Sequence, residues 1–204
     1  MKILKSLSVS LAALAISGAA SAAIVDNSTV TILGTSSTAY SGYAAANALD
    51  SANRYATDFA GNGTGASTHL DFMFAAPTTF SSIVYTDRTS SGGANGSNSF
   101  GTTDYVTQYQ YVFATDAAFS NIVGTYLSQI YTAPVGPTSY LNFQHTDSIN
   151  ALTAQYVRFA VVSARGANPG AADFQFSTVP EPGSLALLGL GLLGFIATRR
   201  KFSK

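Results

Sequence analysis

The segment HLDFMF, residues 69–74, alternates between two kinds of side chain along its whole length. In an extended chain Leu70, Phe72 and Phe74 fall on one face, and His69, Asp71 and Met73 fall on the other. A period of two residues is typical of a β-strand with one buried face. The segment therefore predicts a strand that packs its leucine and its two phenylalanines into a core.

Seven further runs, rich in β-branched and aromatic residues, are separated by turn residues, and each predicts a strand. They span residues 28–33, 80–86, 105–114, 122–130, 140–144, 155–163 and 173–176. Residues 116–120 predict a single helical turn. Eight short strands without a long helical pattern between them predict an all-β fold, an antiparallel jelly-roll β-sandwich.

Charge is distributed unevenly along the chain, although the formal net charge is zero. All the lysines lie near the termini, at positions 2, 5, 201 and 204. Between Ala23 and Val179 the chain has four arginines and nine aspartates, so this region is acidic by about five charges. Binding to a phosphate backbone requires clustered lysine or arginine. We therefore expect no nucleic-acid partner.

The first 22 residues have the three parts of a secretory signal peptide. Lys2 and Lys5 give a positive start, residues 7–16 form an apolar stretch too short for a normal membrane span, and residues 20–22 are small. We expect this segment to be removed after export through the inner membrane. A retained N-terminal anchor is the alternative.

A second apolar stretch, residues 184–198, lies near the C-terminus. As a helix it would be about 22 Å long, which is shorter than the hydrocarbon core of a bilayer at about 30 Å. Pro180 and Pro182 precede it, and a basic cluster at 199–201 follows it. Basic residues stay on the cytoplasmic side of a membrane, so this end is expected to place its tip inside and the middle of the chain outside.

The order Val179-Pro180-Glu181-Pro182, apolar stretch, Arg199-Arg200-Lys201 resembles the PEP-CTERM sorting tail of Gram-negative bacteria. On this resemblance Pro180, Glu181, Pro182, Arg199 and Arg200 form the sorting motif. The resemblance implies processing by an exosortase, transient attachment to the inner membrane through a single hydrophobic C-terminal helix, and delivery to the cell surface or the exterior. It also implies a host that makes exopolysaccharide or biofilm matrix. A plain C-terminal membrane anchor is the alternative.

The two ends divide the chain into a signal peptide at 1–22, a β-rich domain at 23–178 and a sorting tail at 179–204. The middle part has the length of one ordinary domain. It has no cysteine, so no disulfide stabilises it outside the cell. Residues 40–68 and 89–103 predict long surface loops, with a simple spacer as the alternative reading of the second.

A further resemblance covers most of residues 45–176. NALDSANRYATDF at 47–59 comes first, and QYVRFAVVSARGANPGAADFQF at 155–176 comes last. In this order the segments resemble the discoidin (coagulation-factor type C) family and the family 32 carbohydrate-binding modules. The resemblance implies a galactose-binding-domain-like jelly roll with binding loops at one end. The chain departs from the usual pattern at Ser51, where glycine is common, and at Phe59, where tryptophan is common.

Several domains of that family hold a structural Ca²⁺, and the resemblance places such a site at Asp50, Asn53, Thr57 and Asp173. Ca²⁺ is bound by about six to eight oxygen atoms from carboxylates, hydroxyls and carbonyls. The aspartates and the threonine would give side-chain oxygens, and Leu49 or Asn53 would give a carbonyl. The alternative is that Asp50 only caps a turn and that Asp173 lies at a solvated strand end.

The composition argues against catalysis. The one glutamate, Glu181, belongs to the tail, and there is no cysteine nucleophile. His69 and His145 have no metal-binding spacing and are expected to be exposed polar residues. Two well-placed carboxyls would suffice for glycoside hydrolysis, but no stretch singles out such a pair. We therefore expect a protein that is not an enzyme.

Aromatic faces combined with polar groups suit neutral polysaccharides. The predicted loops contain Tyr43, Tyr55 and Arg88, which are candidate ligand-binding residues. The sequence thus predicts an exported surface or matrix protein whose domain binds carbohydrate or exopolysaccharide. The alternative is a structural, self-associating protein of the biofilm or envelope without a discrete ligand.

Overall fold

The computed structural model describes residues 22–35, 43–50, 59–87, 104–132 and 144–179. The strands in these ranges are β1 (Ala23–Ile24), β2 (Val30–Thr35), β3 (Phe59–Ala60), β4 (His69–Asp87), β5 (Tyr105–Ala114), β6 (Ile122–Leu127), β7 (Gln144–Arg165) and β8 (Gly170–Thr178). Short 3₁₀ helices span Asn27–Thr29, Ala45–Leu49 and Gly65–Ser67. Residues 24–178 form one compact unit. No helix among the described residues is long and apolar enough to cross a membrane, and the predicted signal peptide and C-terminal helix lie outside these ranges.

Two long strands, β4 and β7, connect both layers of an antiparallel sandwich. They pair with each other from His69 opposite Ala160 to Thr86 opposite Gln144, with interruptions in register along the way. The first part of β4 pairs with β2, and its last part pairs with β8. β5 pairs with the last part of β7, and β6 extends that layer beyond β5. The predicted all-β antiparallel sandwich is therefore confirmed.

The prediction of separate strands at 69–74 and 80–86 is wrong, because both segments fall along the single strand β4. The predicted strand at 155–163 is part of the longer β7, which begins at Gln144, while residues 140–143 lie outside the described residues. Pro77 lies where the β4–β7 register is interrupted between Met73 and Thr78, so its missing N–H breaks no ladder pair. The first half of β7 lacks the alternation of apolar and polar residues that predicts a strand, because two of its inward-facing residues, His145 and Asp147, are polar.

Aromatic side chains from both layers form the core. The predicted inward residues Leu70, Phe72 and Phe74 are at most 2% exposed. Phe72 packs edge to face on Phe174 of the opposite layer, with ring centroids 5.1 Å apart. Such pairs contribute about 0.5–1.5 kcal/mol beyond the area that they bury.

On the outer side of the first layer, Asp71 is also buried, because Arg158 covers it. The guanidinium donates two hydrogen bonds to the carboxylate, at 2.6 Å and 2.7 Å. The central carbon of the guanidinium lies 4.4 Å from the ring centroid of Phe119. Phe119 belongs to the turn at 116–120, which Asp116 holds by accepting backbone N–H bonds from Ala118, Ser120 and Asn121. The predicted helical turn is in fact a hydrogen-bonded turn without helix.

The sandwich has two different ends. At the loop end lie Thr35, Asp87, Gln144, Arg165 and Gly170, the residues at which strands begin or stop beside the long connecting segments. At the corner end, β4 and β7 bend from one layer to the other, Val30 begins β2 opposite Phe74, and Thr178 ends β8 opposite Phe80. Val25 donates its N–H to Phe176 at 2.8 Å, so the start of the domain runs beside its last strand.

Candidate functional site

The connection between β7 and β8, residues 166–169, lies at the loop end, and we call it the platform. Hydrogen bonds join residues 167–169 to the segment before β4 and to Asp104, which directly precedes β5. The bonds are Gly61 N–H to the Pro169 carbonyl at 2.9 Å, Gly63 N–H to Asn168 Oδ1 at 2.8 Å, Gly65 N–H to the Ala167 carbonyl at 2.9 Å, and Asn168 N–H to Asp104 Oδ1 at 2.9 Å. These bonds give the loop end a fixed floor.

Of the predicted ligand-binding residues, Tyr43 lies within the described ranges. It is half-buried, and its carbonyl accepts the N–H of Ala60 in β3 at 3.3 Å. Tyr55 and Arg88 lie outside the described residues. Asp87, which precedes Arg88 in the sequence, ends β4 at the loop end.

The predicted calcium ligands are divided in the same way. Asp50 caps the C-terminus of the Ala45–Leu49 helix, and Asp173 in β8 is 1% exposed. A solvated position for Asp173 is therefore wrong. Asn53 and Thr57 lie outside the described residues. No group of three or more histidine or acidic side chains that could hold a metal occurs in the ranges that the structure covers.

One side chain joins the surroundings of these two aspartates. The amide nitrogen of Asn27 donates to the carbonyls of Leu49, at 3.3 Å, and of Phe174, at 2.8 Å. Leu49 and Phe174 are the neighbours in sequence of Asp50 and Asp173, so Asn27 joins the two backbone segments that carry these aspartates. The Oδ1 atom of Asn27 is buried there without a hydrogen-bond partner. Carboxylate and amide oxygens are the ligand type that Ca²⁺ takes, and Asp50, Asp173 and Asn27 carry oxygens of this type.

A second polar cluster lies between the layers and was not predicted. Asp147 is 2% exposed and accepts three tyrosine hydroxyl bonds, from Tyr109 at 2.6 Å, Tyr111 at 3.2 Å and Tyr126 at 2.6 Å. Burial raises the pKa of all three phenols, and the contact with Asp147 raises each further. The phenols therefore remain proton donors. No sequence pattern points to this cluster, because its members come from β5, β6 and β7.

His145 is 8% exposed, which shows that its predicted exposure is wrong. Its ring centroid lies 3.7 Å from that of Tyr131, and the ring stacks on Tyr85 at 5.7 Å. Tyr109 contacts it from β5. Burial lowers the pKa of His145 below 6.5, and the nearby carboxylate of Asp147 opposes part of that effect.

This lowered pKa predicts a loss of stability in mild acid. Between the ordinary histidine pKa of 6.5 and the lower folded value, the unfolded chain binds more protons than the folded chain. The free energy of unfolding should therefore fall as the pH drops below 6.5, by at most about 1.4 kcal/mol per pH unit. Urea melts of the full chain between pH 7.5 and pH 5 would measure the slope.

The matched control for this experiment is the other histidine. His145→Gln should remove much of the slope, whereas His69→Gln, at a half-buried position at the start of β4, should retain it. An equal slope in the parent and in His145→Gln would contradict the assignment.

Comparison with known proteins adds two findings. A family model described as the PEP-CTERM protein-sorting motif matches residues 178–201. The chain therefore carries this sorting motif, and Pro180, Glu181, Pro182, Arg199 and Arg200 lie within the match but outside the residues that the structure describes. No curated protein matches the chain by sequence.

Several solved structures have a similar fold. The family 32 carbohydrate-binding module of Clostridium perfringens NanJ, solved with galactose, is 15% identical, with a TM-score of 0.54, and the match covers 77% of this chain and 99% of that one. A family 32 module of a family 31 glycoside hydrolase from the same organism is 19% identical, with a TM-score of 0.57, covering 76% and 95%. Paired modules of C. perfringens ZmpB, solved with GalNAc, are 17% identical, with a TM-score of 0.57, covering 76% and 36%. These three neighbours are family 32 modules, which are non-catalytic, although some are parts of enzymes. At these identities the likeness shows the fold.

Proposed function

We propose that this chain is an exosortase-sorted surface or matrix protein whose domain binds carbohydrate without catalysing a reaction. The PEP-CTERM motif implies export and exosortase-dependent sorting to the cell surface. The observation that carries the binding proposal is the family 32 fold, whose structural neighbours include modules solved with galactose and GalNAc.

The loop end is the proposed binding site. The strands β2 and β4 end there and β7 begins there, and the tied connection at 166–169 gives it a rigid floor. Tyr43, Tyr55 and Arg88 are the proposed contacts. An aromatic face suits the apolar side of a sugar ring, and a guanidinium donates several hydrogen bonds to hydroxyl oxygens. Exopolysaccharide or a cell-surface glycan is the proposed partner.

A glycan array probed with the full chain in detergent tests this proposal. We expect neutral, galactose-containing glycans to be bound, and Arg88→Ala to reduce their affinity about tenfold, which corresponds to the loss of about 1.4 kcal/mol. Arg165→Ala is the matched control, because Arg165 is an exposed arginine that ends β7 at the same end. Absence of any bound glycan would remove the proposal.

We also propose a structural calcium site at Asp50, Asn53, Thr57 and Asp173, with Asn27 as its neighbour. A metal bound at about 100 times its Kd stabilises the fold by about 2.7 kcal/mol. A chelator should therefore lower the Tm of the full chain by about 5–10 °C. Scanning calorimetry with EDTA, and then with restored Ca²⁺, measures the shift, and Asp50→Asn should be insensitive to both. An unchanged melt would contradict the site.

One observation favours self-association as a second candidate function. Ile122, Val123 and Leu127 of the outermost strand β6 are 52%, 39% and 58% exposed. Exposed apolar edge strands pair readily with other chains. Sedimentation over a range of concentrations would show association that Val123→Lys abolishes, and a monomer at every concentration would exclude this candidate.

A further inference from the structure

A pocket of about 210 Å³ lies between β6 and residues 148–152 of β7, and none of the residues 166–169 lines it. We call it the seam pocket. Its lining residues come from the two strands beside it: Gly124, Thr125 and Tyr126 of β6, and Ser148, Ile149, Asn150 and Leu152 of β7. The volume corresponds to about seven water molecules at about 30 Å³ each. It lies below the range of about 300–1,000 Å³ that drug-sized ligands occupy, so the pocket suits one ring-sized molecule.

The lining of the seam pocket is neutral and amphipathic. Tyr126, Ile149 and Leu152 are half-buried or buried and form an apolar floor, whereas the polar lining residues are exposed at the rim. None of the lining residues is charged. An apolar floor with hydroxyl and amide groups around it matches a neutral sugar ring, which has an apolar face and a rim of hydroxyls.

Gly124 shapes the pocket by having no side chain. A Cβ atom at this position would lie 2.6 Å from Cδ1 and 2.8 Å from Cδ2 of Leu152. Because glycine lacks that atom, the side chain of Leu152 has room to lie in the apolar floor, between the two strands. The apolar floor is therefore built into the packing of β6 on β7 and does not depend on a loop.

A hydrogen bond to the buried Asp147 fixes the side chain of Tyr126. Its hydroxyl donates to Oδ1 of Asp147 at 2.6 Å, while Oδ2 of that carboxylate accepts from Tyr109 and Tyr111. The ring is thus fixed, and its hydroxyl proton is already used inside the core. What Tyr126 offers to a ligand is its ring face and an oxygen that can accept a hydrogen bond. Because the ring of Tyr126 is already ordered before a ligand binds, less conformational entropy is lost on binding.

The strands beside the pocket also present open edges within the described part of the chain. There, β6 pairs with β5 alone, and residues 144–148 of β7 pair with β4 alone. Backbone N–H and C=O groups on such edges can donate to and accept from sugar hydroxyls. This adds directional contacts to the apolar floor.

We propose that the seam pocket binds one neutral pyranose ring, with the apolar face of the sugar on Tyr126 and Leu152 and its hydroxyls on Thr125, Ser148 and Asn150. The inference rests on the proposed function in one respect only, that the ligand is carbohydrate. The site is separate from the loop end, so the domain has two places at which one polysaccharide chain, or two chains, can be held.

The experiment titrates the ¹⁵N-labelled full chain in detergent micelles with methyl β-galactopyranoside and with methyl β-glucopyranoside. Saturable shifts of the Gly124, Thr125 and Asn150 amides are expected with at least one of them. Ser148→Trp fills the rim and should weaken this binding by about tenfold or more. Thr146→Trp is the matched control, because Thr146 is exposed on the same face of β7 and is not part of the lining. It should bind as the parent does.

The outcomes separate this inference from the proposed function. Saturable shifts confined to the loop end, with Ser148→Trp binding normally, would overturn the seam pocket and leave the proposed function standing. Seam shifts that Ser148→Trp removes and Arg88→Ala leaves intact would support the pocket as a site independent of the loop end. If, in addition, Arg88→Ala kept full binding on the glycan array, the loop-end site would be rejected. Seam amides that do not respond to either sugar would overturn the pocket, whatever the glycan array shows.

Discussion

Asp147→Leu should unfold the domain or leave it barely stable. The substitution removes the acceptor for three tyrosine hydroxyls, two of them on fully buried rings. Each buried polar group left without a partner costs about 1–3 kcal/mol. The expected loss is therefore about 3 kcal/mol or more, against a total stability of about 5–15 kcal/mol for a typical domain. Urea denaturation of the full chain followed by circular dichroism would measure it.

Smaller changes in the same cluster keep this prediction testable if Asp147→Leu does not fold. Tyr126→Phe removes one bond from a half-buried ring and should cost about 1 kcal/mol. Asp26→Asn is the control, because Asp26 is an exposed carboxylate that accepts the N–H of Ser28 next to a short helix. A stability within about 1 kcal/mol of the parent for Asp147→Leu would show that the cluster contributes little.

Gly170→Ala should be the second severe change, for a steric reason. A Cβ atom at this position would lie 1.9 Å from the carbonyl oxygen of Phe59 and 3.0 Å from the Cα atom of Ala60. These atoms belong to the backbone of β3, so no side-chain rotation can relieve the clash. β3 would have to leave β8, and the fully buried Phe59 would move with it.

The expected cost combines overpacking, about 1–3 kcal/mol, with loss of burial of an aromatic side chain, about 1.5–3 kcal/mol. The hydrogen bond from the Tyr85 hydroxyl to the Gly170 carbonyl, at 2.7 Å, would also be strained. Gly34→Ala is the matched control, since its Cβ would meet Oδ2 of Asp71 at an ordinary 3.8 Å. Thermal melts that drop equally for both variants would show that the close approach to β3 is not the cause.

The sequence was sufficient to predict the strand class and the inward face of the segment at 69–74, because alternation reports burial directly. It was not sufficient to predict that β4 and β7 each continue through a bend. A proline between two apolar runs is typical of a strand end, but Pro77 falls where no partner needs its N–H. His145 is predicted to be exposed because its residue type is polar, but aromatic partners far away in sequence surround it in the core.

Only those residues of the candidate site that lie in local sequence motifs could be predicted. Asp50 and Asp173 could be paired through a family resemblance, and the structure brings their neighbours together through Asn27. Asn27 itself lies in a short helix with no motif around it. The seam pocket is harder still to predict from the sequence. It depends on the contact of β6 with β7, and no sequence periodicity indicates which strand edges face each other.

The position at which the chain leaves the domain has a mechanical consequence. β8 ends at Thr178, at the corner end, and it is paired with β4 as far as Ala171 opposite Asp87 at the loop end. A tether that pulls on Thr178 while a polysaccharide holds the loop end would apply tension along the axis of β8. Ladder hydrogen bonds lie perpendicular to the strands, so this tension loads them together in shear and does not open them one at a time like a zipper. The pairing of β8 with β4 is therefore oriented to resist a force that acts along the strand.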